Sequence, residues 1–344
     1  MVQMTDTLST SPNAGLAHIR ATATDKLTEK SVLVRSLERF HVSTRYDKLL
    51  TLEIEKMLTT ILSGGAKEGY ALAVVGKSGA GKTHAINHAL DGHAAFKPFM
   101  VGVNELQICM RVRTPPVCST KSLGVAILQH VGYPLLRTKL NEIEIWRLVR
   151  EQLKRREIRI IYLDEAQHVL KAKKSVTEVT DTIKSLMQDP TWPVWVIMSG
   201  IPQMLEIIEG DGDHQLERRS RVLRIGDLKE EDFPTIVAIV KAIASRVSFK
   251  VGFPMNTEFV GRMVHGGMSL QGMVIQLIKL SIETAIWDEK EAKTRTVRFD
   301  HFVEGYRRLC NCGDDTNVFL AKDWRNIVRE VSDEGKLTEE LARR

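Results

Sequence analysis

Residues 76–83 read Gly-Lys-Ser-Gly-Ala-Gly-Lys-Thr, and residues 160–168 read Ile-Ile-Tyr-Leu-Asp-Glu-Ala-Gln-His. The first run fits G-x-x-x-x-G-K-[ST], a loop whose backbone N–H groups wrap the phosphates of a nucleotide. Gly76, Gly79 and Gly81 suit such a loop because a Cβ would hold the backbone away from the ligand. Lys77, Ser78 and Ala80 complete the cradle. Lys82 is the expected contact to the β- and γ-phosphates, and Thr83 and Asp164 are the expected Mg²⁺ residues. Glu165, one position further on, is suited to polarise an attacking water. The cofactors this pair of motifs calls for are ATP and Mg²⁺, and the reaction is nucleotide hydrolysis.

The flanking patterns supply what must hold these groups. Residues 70–75 form a short apolar run of the buried-strand kind, and 83–90 read as a helix. A strand feeding a glycine loop at a helix N-terminus aims partial positive charge at the phosphates. Residues 158–163 form a second buried strand ending in Asp164, and an acidic residue there faces the crevice where open α/β sheets bind ligands. Further strands are expected at 99–103, 107–112, 193–198 and 222–225. Helices are expected from about 30 to 62, where Ser63-Gly-Gly closes the run, and at 121–131, 141–156 and 177–188. From 228 the strands stop, and 230–247, 256–264, 269–287 and 299–308 read as helices.

The expected organisation is a mobile arm over 1–30 and an α/β nucleotide-binding core with a helical extension over 31–227. A helical lid over 228–310 and a charged tail over 311–344 follow. With 344 residues, 43% of them hydrophobic, the chain can bury a sizeable core. A net charge of +6 is compatible with a nucleic-acid partner but decides nothing alone. Four cysteines are too few for a disulfide scaffold and suit a reducing cytoplasm; Cys310-Asn-Cys312 lacks zinc-ribbon spacing and reads as ordinary cysteines. The polar N-terminus carries no expected signal peptide, and no apolar run approaches the ~18 residues of a membrane span. A cytoplasmic protein with no membrane partner is the expectation.

A parallel sheet followed by a helical bundle resembles an AAA+ P-loop ATPase. That resemblance makes Ser199, at the end of a core strand, a γ-phosphate sensor. It also makes an arginine of 213–221 the residue that reaches a neighbouring subunit's nucleotide. Arg219 is favoured, with Arg218 and Arg221 as alternates. Many relatives carry a phosphate-contacting arginine near Gly272, and this chain does not.

Asp164-Glu-Ala-Gln-His168, the Gln215-Leu-x-x-Arg219 spacing and the arginine-free lid resemble the TniB/TnsC family of transposition regulators, to which the phage Mu target-DNA ATPase is related. The resemblance spans roughly residues 30–310. It implies an ATP-dependent homo-oligomer, a ring or helical filament, on double-stranded DNA without sequence preference. Such an assembly links a target-selector protein of the TniQ/TnsD type to the transposase, with hydrolysis as the assembly switch. In that family the DNA contacts come largely from the segment that here is 111–122, which makes Arg111, Arg113, Thr120 and Lys121 the candidates. Cations and hydroxyls on a Pro-containing loop suit sequence-independent phosphate contacts.

Lys171, Lys173 and Lys174 form a second candidate patch, and His168 a structural or coupling residue. The basic run 147–159 is interleaved with glutamates at helix-pairing distance and reads as a solvated face. Two other readings stay open: a helicase-loader or initiator-like AAA+ ATPase, and a protein-scaffolding P-loop ATPase that never touches DNA.

Overall fold

A computed structural model describes residues 13–64, 68–134, 140–171, 176–210 and 214–328. Internal contacts group these residues into two units. The described chain opens with α1 (Ala14–Thr22) and α2 (Asp25–Arg39), so the described part of the segment expected as an arm is mostly helical, while residues 1–12 of it lie outside the described residues. The single helical run expected from 30 to 62 is broken at residues 40–44, where α3 (Arg45–Leu62) begins. Thr44 breaks it: its N–H and hydroxyl both donate to the Asp47 carboxylate, at 2.7 and 2.6 Å. That capping box satisfies donors which a continuous helix would need to bond internally. The break also divides the sequence between the units, because α2 groups with the C-terminal helices and α3 with the sheet.

The core unit comprises the described residues of 43–228 together with 270–273. In order it contains β1 (Ala71–Val75), α4 (Lys82–Gly92), β2 (Phe99–Val101), β3 (Asn104–Leu106) and β4 (Cys109–Arg113). There follow α5 (Thr120–His130), α6 (Glu142–Arg155), β5 (Ile160–Asp164), α7 (Val176–Met187) and β6 (Trp195–Gly200). Three short elements end it: α8 (Leu205–Glu209), α9 (Gln215–Arg218) and β7 (Ser220–Arg224). Five strands form one parallel sheet in the order β4-β5-β6-β1-β7. Every residue of β1 and β6 is buried, as expected of central strands covered on both faces.

Parallel pairing brings the strand C-termini to one edge. Gly76 follows β1, Thr114 follows β4, Asp164 ends β5, and Ser199 lies in β6 opposite Val74. The strand expected at 99–103 is instead the first arm of an antiparallel hairpin, β2–β3, outside the main sheet. Its turn includes Gly102 at φ 62°, and Met100 and Val103 are 62% and 93% exposed. Apolar character there does not signal core.

The second unit adds α10 (Phe233–Arg246), β8 (Lys250–Val251), α11 (Thr257–Gly266), most of α12 (Gln271–Trp287), α13 (Glu289–Thr294), β9 (Thr296–Val297) and α14 (Phe299–Cys310) to α1 and α2. Its core is a set of edge-to-face aromatics. Phe253 and Phe302 each meet Phe259 at centroid distances of 4.9 and 5.0 Å, an arrangement the ring quadrupole favours. Beyond α14, Trp324 packs on His265, so the segment expected as a tail is anchored at least to residue 328. No helix among the described residues is long and apolar enough to cross a membrane.

Candidate nucleotide-hydrolysis site

The loop from Gly76 to Gly81 leaves β1 and enters α4. Gly79 and Gly81 adopt φ of 82° and 95°, where an L side chain is strained, so these two glycines are required by the backbone itself. Ala80 is buried, Ser78 is exposed, and Lys77 reaches back to Asp227 at 2.6 Å, fastening the loop to the segment after β7. Lys82 is 6% exposed, and its ammonium donates to the carbonyls of Gly76 at 2.8 Å and Lys77 at 3.0 Å. Burial pushes its pKa below the ordinary lysine value, while the charges of Glu165 and Asp164 hold it up.

Asp164 is the hub. Thr83 Oγ1 donates to its carboxylate at 3.0 Å, Ser199 Oγ at 2.5 Å and the Glu165 N–H at 3.1 Å. Tyr162 lies one step behind, its hydroxyl 2.9 Å from Ser199 Oγ. Ser199 has one proton and gives it to Asp164, so Tyr162 must donate to Ser199. Burial raises the Tyr162 pKa and keeps that proton in place. The expected residues Thr83, Asp164 and Ser199 thus meet in one hydroxyl–carboxylate chain. Tyr162 was visible only as part of a buried strand, because its partner comes from a neighbouring strand.

Glu165 sits at φ 56°, a conformation uncommon for a residue with a side chain. Gln167 holds it: its amide nitrogen donates to Glu165 Oε2, and its amide oxygen accepts from the Ile201 N–H at 3.3 Å. His168 completes the segment. Its N–H bonds to the Glu165 carbonyl at 3.0 Å, and its Nδ1 lies 3.2 Å from the carbonyl of Thr114. The Thr114 N–H in turn donates to the Asp164 carbonyl at 3.0 Å. The end of β5 and the root of the 114–119 loop are therefore tied in both directions.

Gly272, at the start of α12, belongs to the core unit by its contacts. A Cβ there would stand 2.4 Å from the Gly79 carbonyl oxygen and 2.8 Å from the Gly81 nitrogen. Gly272 is thus a close-approach glycine lying on the phosphate loop.

The loop suits a nucleoside triphosphate: its left-handed glycines open the backbone, and a buried ammonium waits on carbonyls that phosphate oxygens can replace. Thr83 and Asp164 present oxygen donors of the kind Mg²⁺ prefers. Among the described residues no group of three or more His, Cys, Asp or Glu could hold a metal ion.

The other expected residues divide. Arg219 pairs with Glu68 at 2.6 Å and also bonds to the Gln215 carbonyl, while its 27% exposure keeps one side open. Arg221 pairs with Glu53 at 3.2 Å and lies over the Tyr70 ring. Arg218 is exposed beside Arg219, both lining a cavity with Gln188 and Gln215. The basic segment is placed as follows. Arg111 is committed to Asp91 at 2.6 Å and Asn87 at 3.1 Å, both on α4. Thr120 is 2% exposed, because as the first residue of α5 it turns inward. Arg113 and Lys121 remain exposed. Lys171 is exposed, whereas Lys173 and Lys174 lie outside the described residues.

A profile of bacterial TniB proteins matches residues 38–229. Among solved structures, the Aeropyrum pernix ORC1 protein in complex with DNA superposes with TM-score 0.54 at 19% identity, covering 80% of this chain and 67% of that one. The ADP form of the A. pernix ORC2 protein gives 0.56 at 12% identity, with 82% and 75% covered. Cdc6p from Pyrobaculum aerophilum gives 0.54 at 10% identity, with 79% and 69% covered. No curated protein matches the chain. At these identities the structural likeness establishes the fold, which is AAA+: a P-loop core with a parallel sheet, followed by helices.

Proposed function

This chain belongs to the bacterial TniB family of AAA+ ATPases, and from that premise we propose that it is an ATP-dependent regulator of DNA transposition that assembles on duplex DNA. In this reading the assembly joins a target selector of the TniQ/TnsD type to a transposase, and hydrolysis takes it apart.

The observation that carries the proposal is the two-way tie between Asp164–His168 and Thr114. These bonds join the carboxylate segment to the backbone from which Arg113 and the start of α5 depart, and in this reading they carry a change of nucleotide state to the basic segment. Sequence-independent phosphate contacts by Arg113 and Lys121 fit target binding that needs no base readout.

Bound Mg·ATP supplies the phosphoryl group that passes to water and the cation that offsets its charge. The protein's part is positioning. Lys82 exchanges its loop carbonyls for phosphate oxygens. Asp164, held by Ser199 and Glu165, keeps Thr83 oriented. Gln167 occupies one oxygen of Glu165 and leaves the other to take a proton from the attacking water. Arg219, fixed by Glu68 yet open on one side, is suited to serve a neighbouring subunit, with Arg218 beside it.

The test is fluorescence anisotropy of a labelled duplex with a slowly hydrolysed ATP analogue and with ADP. The proposal requires tight, salt-sensitive binding with the analogue and weak binding with ADP. It also requires Lys121→Glu to weaken DNA binding while nucleotide affinity stays unchanged. Equal affinity for DNA in both nucleotide states would remove the regulator reading.

A further inference from the structure

Three consecutive residues at the end of β6 touch three parts of the hydrolysis site. Ser199 donates to Asp164 at 2.5 Å. The Gly200 carbonyl accepts the N–H of Gly76, the first residue of the phosphate loop, at 3.2 Å. The Ile201 N–H donates to the amide oxygen of Gln167 at 3.3 Å, and the amide nitrogen of Gln167 donates to Glu165 Oε2. One short stretch of chain therefore meets the loop, the Asp164 carboxylate and, through a single side chain, Glu165.

Gln167 is the informative residue. A main-chain N–H can only donate and an ionised carboxylate can only accept, and Gln167 stands between one of each. An amide has an acceptor on one branch and a donor on the other, so it meets both partners, and they fix which branch is which. The fold keeps room for it. A Cβ on Gly200 would stand 2.5 Å from Gln167 Oε1 and 2.9 Å from Met204 Sδ. Gly200 does not lie in the left-handed region, so space for this amide, and not backbone conformation, calls for glycine there. Glu165 needs such a hold, because its φ of 56° is uncommon for a residue with a side chain.

We propose that Gln167 is a positioning residue for hydrolysis, through which the end of β6 aims Glu165. The inference rests on the reading of Glu165 as the general base. The amide holds one carboxylate oxygen still, so the oxygen that takes the proton of the attacking water keeps a fixed direction. Gly200 and Ile201 are neighbours in the chain, so a displacement of the phosphate loop that shifts Gly200 also shifts the hold on Glu165. Gln167 in this way ties turnover to the seating of the loop.

The experiment is steady-state phosphate release by the full chain over a range of ATP concentrations. Gln167→Met, which keeps the length and removes both polar ends, is expected to lower kcat about 10- to 100-fold with KM unchanged, the loss of one hydrogen bond to a charged group. In a Glu165→Gln background the same change should alter the residual turnover by less than about twofold, because a residue that acts only through Glu165 has nothing left to aim. Gln167→Glu keeps the acceptor for Ile201 but removes the donor to Glu165; it should lose kcat likewise, and it serves if the Met variant fails to fold. The inference is overturned if kcat stays at the wild-type level in these variants, or if KM rises in place of a fall in kcat. It is also overturned if Gln167→Met costs as much in the Glu165→Gln background as in the wild type, which is what a merely structural role would give. Unchanged turnover in Glu165→Gln alone would instead remove the general base, and this inference with it.

Discussion

Gly272→Ala is the substitution for which the structure gives the sharpest expectation. The added Cβ would lie 2.4 Å from the Gly79 oxygen, 2.8 Å from the Gly81 nitrogen and 3.1 Å from the Ala80 carbonyl carbon. All three are backbone atoms of the phosphate loop, so no side chain can swing away. Reaching an ordinary contact of 3.4 Å requires the loop and the start of α12 to separate by about 1 Å. Overpacking of this kind costs about 1–3 kcal/mol. If the loop carries all of it, ATP affinity falls roughly 5- to 150-fold, at about 1.4 kcal/mol per decade.

The assay is equilibrium titration of a fluorescent ATP analogue, paired with a thermal melt in the absence of nucleotide. Gly92→Ala is the control: nothing lies within 4 Å of its Cβ, and the change should be neutral or stabilise by about 0.4–1 kcal/mol. Wild-type affinity together with a wild-type melt in Gly272→Ala would refute the claim that residues 271–273 pack on the loop through this glycine.

Glu165→Gln should retain ATP binding and lose turnover by about two to four decades, the contribution of a positioned general base; unchanged turnover in a steady-state phosphate-release assay would remove Glu165 from that role. Arg219→Ala should lower hydrolysis in concentrated, assembled protein and spare dilute protein. An equal loss at both concentrations would make its partner the chain's own nucleotide. Lys82→Met should abolish nucleotide binding yet raise the melting temperature of the nucleotide-free protein at pH 7. The sign follows from burial: the folded pKa is depressed, so the unfolded chain holds more protons between that value and 10.5, and wild-type stability climbs with pH through that window. The advantage of the variant should therefore shrink as the pH rises toward 10.5, and a pH-independent difference would contradict it.

The sheet was legible because β1, β5 and β6 are apolar runs with loop signals at both ends, and strands buried on both faces leave that imprint. The residues of the nucleotide chain were legible for a different reason: their chemistry fixes their type and their place at strand ends. Tyr162, Gln167 and Gly272 were not. Each matters through something brought close only by the fold: a hydroxyl on the next strand, a main-chain N–H after β6, a loop backbone at contact distance.

The same limit explains the basic segment, where neither the family resemblance nor residue type shows what Arg111 and Thr120 meet in the fold. Asp91 lies twenty positions away in sequence from Arg111, and the inward turn at Thr120 depends on the Ser119 cap. The hairpin at β2–β3 misled in the opposite sense, since its apolar residues pair with each other outside the main sheet and stand exposed. The break at Thr44 was encoded locally, as a Thr with an Asp three residues on, but the apolar spacing on either side concealed it.

The most direct measurement is negative-stain electron microscopy of the Glu165→Gln protein with duplex DNA, in the presence of ATP, of ADP and of no nucleotide. The account predicts rings or helical filaments on DNA with ATP and none in the other two conditions. Assemblies that form with ATP but ignore the DNA would contradict it and leave a scaffolding ATPase in its place.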